Sequence, residues 1–145
     1  MAKAKPFIKW VGGKGQLIEQ LDSYLPSDFD KWDNVTYIEP FVGGGAMLFH
    51  MLQRYPNINC AYINDVNIEL ITCYNTVRDV PEELIVSLKR IEDEYYSLAN
   101  EELRKEFFLD VRSRFNAKGL SAVENTTYFI FLNRTCFNGL YRVNR

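Results

Sequence analysis

A Rossmann-like α/β fold followed by a mainly helical part is the architecture this sequence predicts, on three observations. Two short apolar runs, residues 35–39 and 58–64, are each followed by an amphipathic stretch, the alternation of a parallel β-α-β-α unit. Glu39-Pro40-Phe41-Val42-Gly43-Gly44-Gly45 stands between the first run and its helix, so an acidic residue and a glycine turn mark the strand-to-helix junction. Beyond about Asp79 the strands stop, and apolar residues recur only at spacings of three and four.

Each element follows in order. After a loop around Trp10, residues 16–24 read as a helix ended by Pro26. Strand 35–39, helix 45–54, strand 58–64 and helix 66–77 make the alternating part. Pro81 suits the first turn of a helix, and Leu84, Leu88, Ile91, Tyr95 and Leu98 form its stripe. Leu103, Phe107, Val111 and Phe115 repeat the stripe in a further helix. Residues 121–136 read as a buried helix, although Tyr128 to Leu132 also suits a strand. These stripes are packing, not cofactor contacts. The change of pattern divides the chain into residues 1–79, a cofactor-binding Rossmann-like part, and residues 80–145, a helical part. No internal repeat, low-complexity tract or long linker interrupts them.

The net charge of −2 is unevenly distributed. Residues 1–15 carry four Lys and no acid, whereas residues 16–103 carry five basic and sixteen acidic side chains. Residues 104–145 return to eight basic and three acidic. Basic ends around an acidic middle leave room for a local phosphate-binding surface despite the negative total. Cys60, Cys73 and Cys136 are widely spaced with no Cys-x-x-Cys pair, which argues against a zinc site or a disulfide framework and fits a reducing compartment. His50, the lone histidine, reads as structural or surface, so no metal is expected. No signal peptide is apparent, and the longest fully apolar run, Tyr128 to Leu132, is far too short to span a bilayer. The expectation is a soluble, cytoplasmic protein.

The glycine turn points to a nucleoside-type ligand. A dinucleotide fingerprint would need a third glycine where Leu48 stands. The second cluster, Gly12-Gly13-Lys14-Gly15, fails as a P-loop because Ile8 stands where the first glycine belongs and Gly15 where a Ser or Thr belongs. Asp65 ends the second strand about 20 residues past the turn. A carboxylate there suits both hydroxyls of a ribose, or alternatively caps the next helix. Trp10 would stack on a purine or pack under its loop, and Lys14 would meet a carboxylate or remain solvated. Asn138-Gly139, flanked by Phe137 and Leu140, reads as the tip of a hairpin.

Residues 6–14, 39–45, 64–65 and 137–144 stand in the order and spacing of Dam-type (D12 class) DNA adenine N6-methyltransferases, and the chain resembles the amino-terminal portion of such an enzyme. The resemblance implies S-adenosylmethionine as cofactor and duplex DNA, with GATC as the suggested site, as substrate. It implies a cofactor-binding set of Trp10, Lys14, Glu39, Gly43, Gly45 and Asp65. It also implies that the hairpin reads DNA: Arg142 offers a bidentate contact to guanine, Asn138 one to a base edge, and Phe137 a wedge that helps a base leave the stack.

One part of the pattern is missing. Adenine N6 methylation needs an Asp/Asn-Pro-Pro-Tyr/Phe turn whose oxygens accept hydrogen bonds from the target amino group. This sequence has no such tetrapeptide, and Pro81 is its last proline. The expectation is therefore an enzyme by family whose 145 residues hold no catalytic residue and are inactive alone, as a truncated form or one chain of a split protein with a complementary partner. The alternative is an inactive module that still binds S-adenosylmethionine or DNA. A nicotinamide-dependent oxidoreductase is disfavoured by Leu48 and by the Trp10–Lys14 loop. A partial sheet is also expected to leave apolar surface exposed.

Overall fold

A computed structural model describes residues 3–136 of the chain. It is a mixed α/β structure whose residues fall into two compact units, 1–66 and 67 onward. Among the described residues there are six α-helices and one two-stranded parallel sheet.

The first unit opens with an extended segment and a 3-10 turn, Lys14–Leu17, which leads into α1 (Ile18–Ser23). The single helix expected over 16–24 is thus split, with glycine-flanked Lys14 starting a tighter turn before the α-helical one. β1 (Val35–Glu39), α2 (Ala46–Arg54) and β2 (Ile58–Ile63) follow within one residue of their expected limits. The strands run parallel, with Thr36 opposite Cys60 and Ile38 opposite Tyr62. A parallel pair needs a crossover, and α2 supplies it.

Leu48 and Met51, three residues apart on α2, are buried together with Ile8, Phe29 and Val42. Phe29 meets Tyr55 and Trp32 with ring centroids 4.9 and 5.3 Å apart. Period-two alternation sends Tyr37 and Glu39 to the covered face of the sheet and Ile38 to the other. That other face is open: Ile38 is 65% exposed and Tyr62, opposite it, 63%.

The second unit contains α3 (Ile68–Asp79), α4 (Pro81–Ser97), α5 (Glu101–Ala117) and α6 (Ala122–Thr135). α6 is the centre, packing against each of the other three. Phe129 and Leu132 are fully or almost fully buried there, and the rings of Phe107 and Tyr95 meet Phe131 at 5.7 and 5.3 Å. The strand alternative for Tyr128 to Leu132 is overturned. A run apolar on every side is what a helix surrounded by helices requires, and Ser121 with Glu124 completes a capping box at its start.

The buried hydroxyls of α6 are satisfied: Thr126 donates to Thr76 Oγ1 at 3.0 Å, and Thr127 donates to Ser87 Oγ at 2.8 Å. α3 starts at Ile68, not at 66, because the Asn67 side chain caps it by accepting from the Leu70 N–H at 2.8 Å. Its buried Leu70, Cys73, Tyr74 and Thr76 belong to the helical unit, so the packing division falls one helix earlier than the change of pattern at Asp79. Among the described residues, no helix is long and apolar enough to cross a membrane.

Candidate functional site

The end of β1 and the turn after it are held by a short ladder of backbone bonds. Asn64 N–H donates to the Glu39 carbonyl and Val42 N–H to the Asn64 carbonyl, both at 2.9 Å. Gly45 N–H then donates to the Val42 carbonyl at 2.9 Å, closing a tight turn. Gly43 and Gly45 hold φ of 52° and 79°, a left-handed backbone that costs a residue with a side chain roughly 1–2 kcal/mol. Gly45 serves as the N-cap residue of α2, so the first-turn N–H groups of that helix open toward the turn.

The carboxylate of Asp65 reaches back from the end of β2 and accepts the Gly43 N–H at 3.0 Å. Trp10 lies against the other side of the turn. A Cβ placed on Gly43 would stand 3.1 Å from Trp10 Cδ1, and one on Gly44 would stand 3.2 Å from the Ile8 carbonyl oxygen. These walls enclose a cleft of about 220 Å³, lined by Trp10, Val11, Gly12, Gly13, Lys14, Phe41, Val42, Gly43, Gly44, Ala46 and Asp65. Two glycines with little side-chain room and one acidic side chain leave bare backbone and a carboxylate at the cleft.

Beneath the cleft is a charged anchor. Lys14 Nζ donates to Glu39 Oε1 at 2.6 Å and to the Phe41 carbonyl at 2.7 Å. The Tyr37 phenol donates to Glu39 Oε2 at 2.8 Å, so both oxygens of this buried carboxylate carry a donor. Burial first, then the Glu39 hydrogen bond and charge, push the Tyr37 hydroxyl well above the usual phenol range, which keeps it a donor at any ordinary pH.

The structure therefore gathers Trp10, Lys14, Gly43 and Asp65 around one cleft. Glu39 is instead 5% exposed and below it, reached through Lys14. Gly45 is the N-cap behind the wall, and Gly44 lines the cleft in its stead. Asp65 does not cap a helix, since Asn67 does; that alternative is overturned. Phe137, Asn138 and Arg142, expected to read DNA, lie outside the described residues. His50 approaches Asp22 Oδ1 at 2.8 Å and is part of a structural cluster.

Sequence reasoning missed Tyr37 and Phe41. Strand alternation places Tyr37 beside Glu39, a signal open to inspection. Phe41 is an exposed aromatic (68%) in a turn otherwise rich in glycine, which also marks it. A second, larger groove of about 380 Å³ lies in the helical unit between α4 and α6. Its walls are mostly apolar, Ile85, Leu88, Tyr95, Ile130 and Phe131, with Lys89, Glu92 and Arg134 among them, and no glycine turn lines it. Among the described residues, no three His, Cys, Asp or Glu side chains group where they could hold a metal ion.

Known proteins resemble this sequence. The family model of the D12 class N6 adenine-specific DNA methyltransferases matches residues 10–145. A type II methyltransferase of Methanocaldococcus jannaschii is 46% identical over 145 residues, covering 99% of this chain and 50% of its own length. A type II methyltransferase of Lactococcus lactis is 38% identical, over 97% of this chain and 44% of its own. A DNA adenine methylase of Vibrio cholerae is 34% identical over 100% of this chain and 46% of its own. The chain thus spans about half the length of the curated relatives it matches. With nearly every residue inside the family's pattern, the chain belongs to the D12 class of N6 adenine-specific DNA methyltransferases.

Proposed function

We propose that this chain carries the cofactor cleft and part of the DNA-reading surface of a site-specific adenine N6-methyltransferase that uses S-adenosylmethionine. The observation that supports this best is the meeting of the Asp65 carboxylate, the Gly43–Gly44 backbone and the Trp10 ring at one cleft. The residues fit the cofactor. Asp65 is suited to ribose hydroxyls, Trp10 to the face of a purine, and the glycines to close backbone approach. At about 220 Å³ the cleft is smaller than the roughly 300 Å³ at which pockets begin to bury a whole drug-sized ligand, so it would hold part of the molecule. When bound, S-adenosylmethionine supplies an electrophilic methyl group.

In this reading the parallel strands belong to a Rossmann-like methyltransferase sheet. Residues 1–79 serve the cofactor and residues 80–145 the target. Duplex DNA is the substrate, GATC the proposed site, and Phe137, Asn138 and Arg142 the contacts that read it. The expected test is direct. Asp65→Ala should weaken S-adenosylmethionine binding at least roughly tenfold, about 1.4 kcal/mol, by calorimetry. Unchanged affinity refutes the ribose role.

A second reading, binding without turnover, is favoured by one sequence fact: no Asp/Asn-Pro-Pro-Tyr/Phe turn occurs in these 145 residues. Without an acceptor for the adenine amino protons, the nitrogen lone pair is not directed at the methyl group. These residues alone should therefore not methylate duplex DNA. A methyl-transfer assay separates the two readings.

A further inference from the structure

We propose that Tyr37 is a positioning residue of the cofactor cleft, acting through Glu39 on Lys14. The proposal rests on the S-adenosylmethionine reading for its ligand, but its geometry stands without it. Tyr37 does not line the cleft. Its hydroxyl occupies Glu39 Oε2 at 2.8 Å, which leaves Oε1 as the oxygen that takes Lys14 Nζ at 2.6 Å. Lys14 spends a second N–H on the Phe41 carbonyl at 2.7 Å. Two of the three ammonium donors are thereby committed to the turn, and the lysine's charge is already matched by a carboxylate.

Lys14 accordingly ties two walls together: the loop that carries Trp10, Gly12 and Gly13, and the turn that carries Phe41 and Gly43. A lysine engaged in this way is a bolt between walls more than a donor reserved for an anionic ligand. Removing the Tyr37 hydroxyl leaves a buried carboxylate oxygen without its donor, a costly state that is relieved if Glu39 rotates toward Lys14 or solvent. Either movement shifts the Lys14 loop and with it Trp10, whose ring lies on Gly43.

The experiment uses Tyr37→Phe, Lys14→Met and the double variant in the full chain, with Trp32→Phe throughout so that Trp10 alone reports by fluorescence. Without ligand, Tyr37→Phe should red-shift the Trp10 emission and make it easier to quench by acrylamide. Titration with S-adenosylhomocysteine should show affinity falling roughly tenfold in each single variant and no further in the double, because both act through one carboxylate. Additive losses, or an unchanged Trp10 signal, overturn the proposal. If Tyr37→Phe folds poorly, Glu39→Gln, which keeps the shape and drops the charge, must reproduce the Trp10 shift. Failure of the wild-type chain to bind S-adenosylhomocysteine would count against the cofactor reading alone, since the ligand-free emission still tests the bolt.

Discussion

Gly43 and Gly12 show how two glycines of similar backbone do different work. Both have left-handed φ, 52° and 76°, so an alanine at either costs roughly 1–2 kcal/mol of backbone strain. Around a Cβ on Gly12 nothing lies within 4 Å, whereas on Gly43 the Trp10 ring stands 3.1 Å away. Gly12→Ala should therefore lower the melting temperature by the backbone share alone, about 4–8 °C per kcal/mol for a unit of this size. Gly43→Ala should lower it further and displace the indole, read as changed Trp10 fluorescence. Equal melting losses with unchanged emission would show that the ring does not rest on this turn. The Lys14–Glu39–Tyr37 chain belongs to the same scale: two donors meet on the two oxygens of one buried carboxylate.

Between elements, the pairing of α1 with α2 runs through Asp22. Its Oδ1 accepts the Tyr55 phenol at 2.7 Å and faces His50 Nε2 at 2.8 Å, joining the short α1 to the far side of the crossover helix. The hydrogen bond with His50, and after it that with Tyr55, holds the Asp22 carboxyl below its ordinary value of 3.8. A carboxylate lowered in the folded state contributes stability that is present above the unfolded value. That contribution is lost as the pH falls through 3.8 toward the folded value. Melting temperature should therefore drop as pH is lowered below about 4, and Asp22→Asn should flatten that acid limb by removing the titrating group. A limb of unchanged steepness in the variant would assign it to other carboxylates. The helical unit has a charged contact of its own, Lys118 with Glu69, which holds the Glu69 carboxyl below its ordinary value. Caps at Asn67, Asn100 and Ser121 fix where its helices begin, and α6 holds them by apolar burial.

At the scale of the whole molecule, the open sheet face is the main liability. Ile38 and Tyr62 lie opposite one another and are both more than half exposed. An exposed apolar surface beside strand edges that are unpaired among the described residues favours association. The 145-residue chain should self-associate with rising concentration in sedimentation velocity. Ile38→Thr with Tyr62→Thr, which keeps the strand preference while removing apolar area, should shift it toward monomer. A wild-type chain that is monomeric throughout would exclude this face as the cause.

Much of this protein is written locally. The strands at 35–39 and 58–63, the Pro81 start of α4 and the stripes of α4 and α5 follow from periodicity and turn chemistry, because those signals are set by neighbours three or four residues apart. Gly43 and Asp65 stand out as candidates because a glycine turn and an acid at strand ends are rare and interpretable, whereas Trp10 and Lys14 are candidates through the family resemblance. Tertiary structure alone decided their division of labour. Whether Glu39 lines the cleft or is buried behind it depends on a lysine 25 residues away, and whether Asp65 caps a helix or bonds Gly43 depends on the turn packed beside it. It likewise decided that Tyr128 to Leu132 is helix, since only three surrounding helices make an all-apolar run favourable in that form. Local patterns fix which elements form; long-range contacts, which no periodicity encodes, fix what each side chain is left to do.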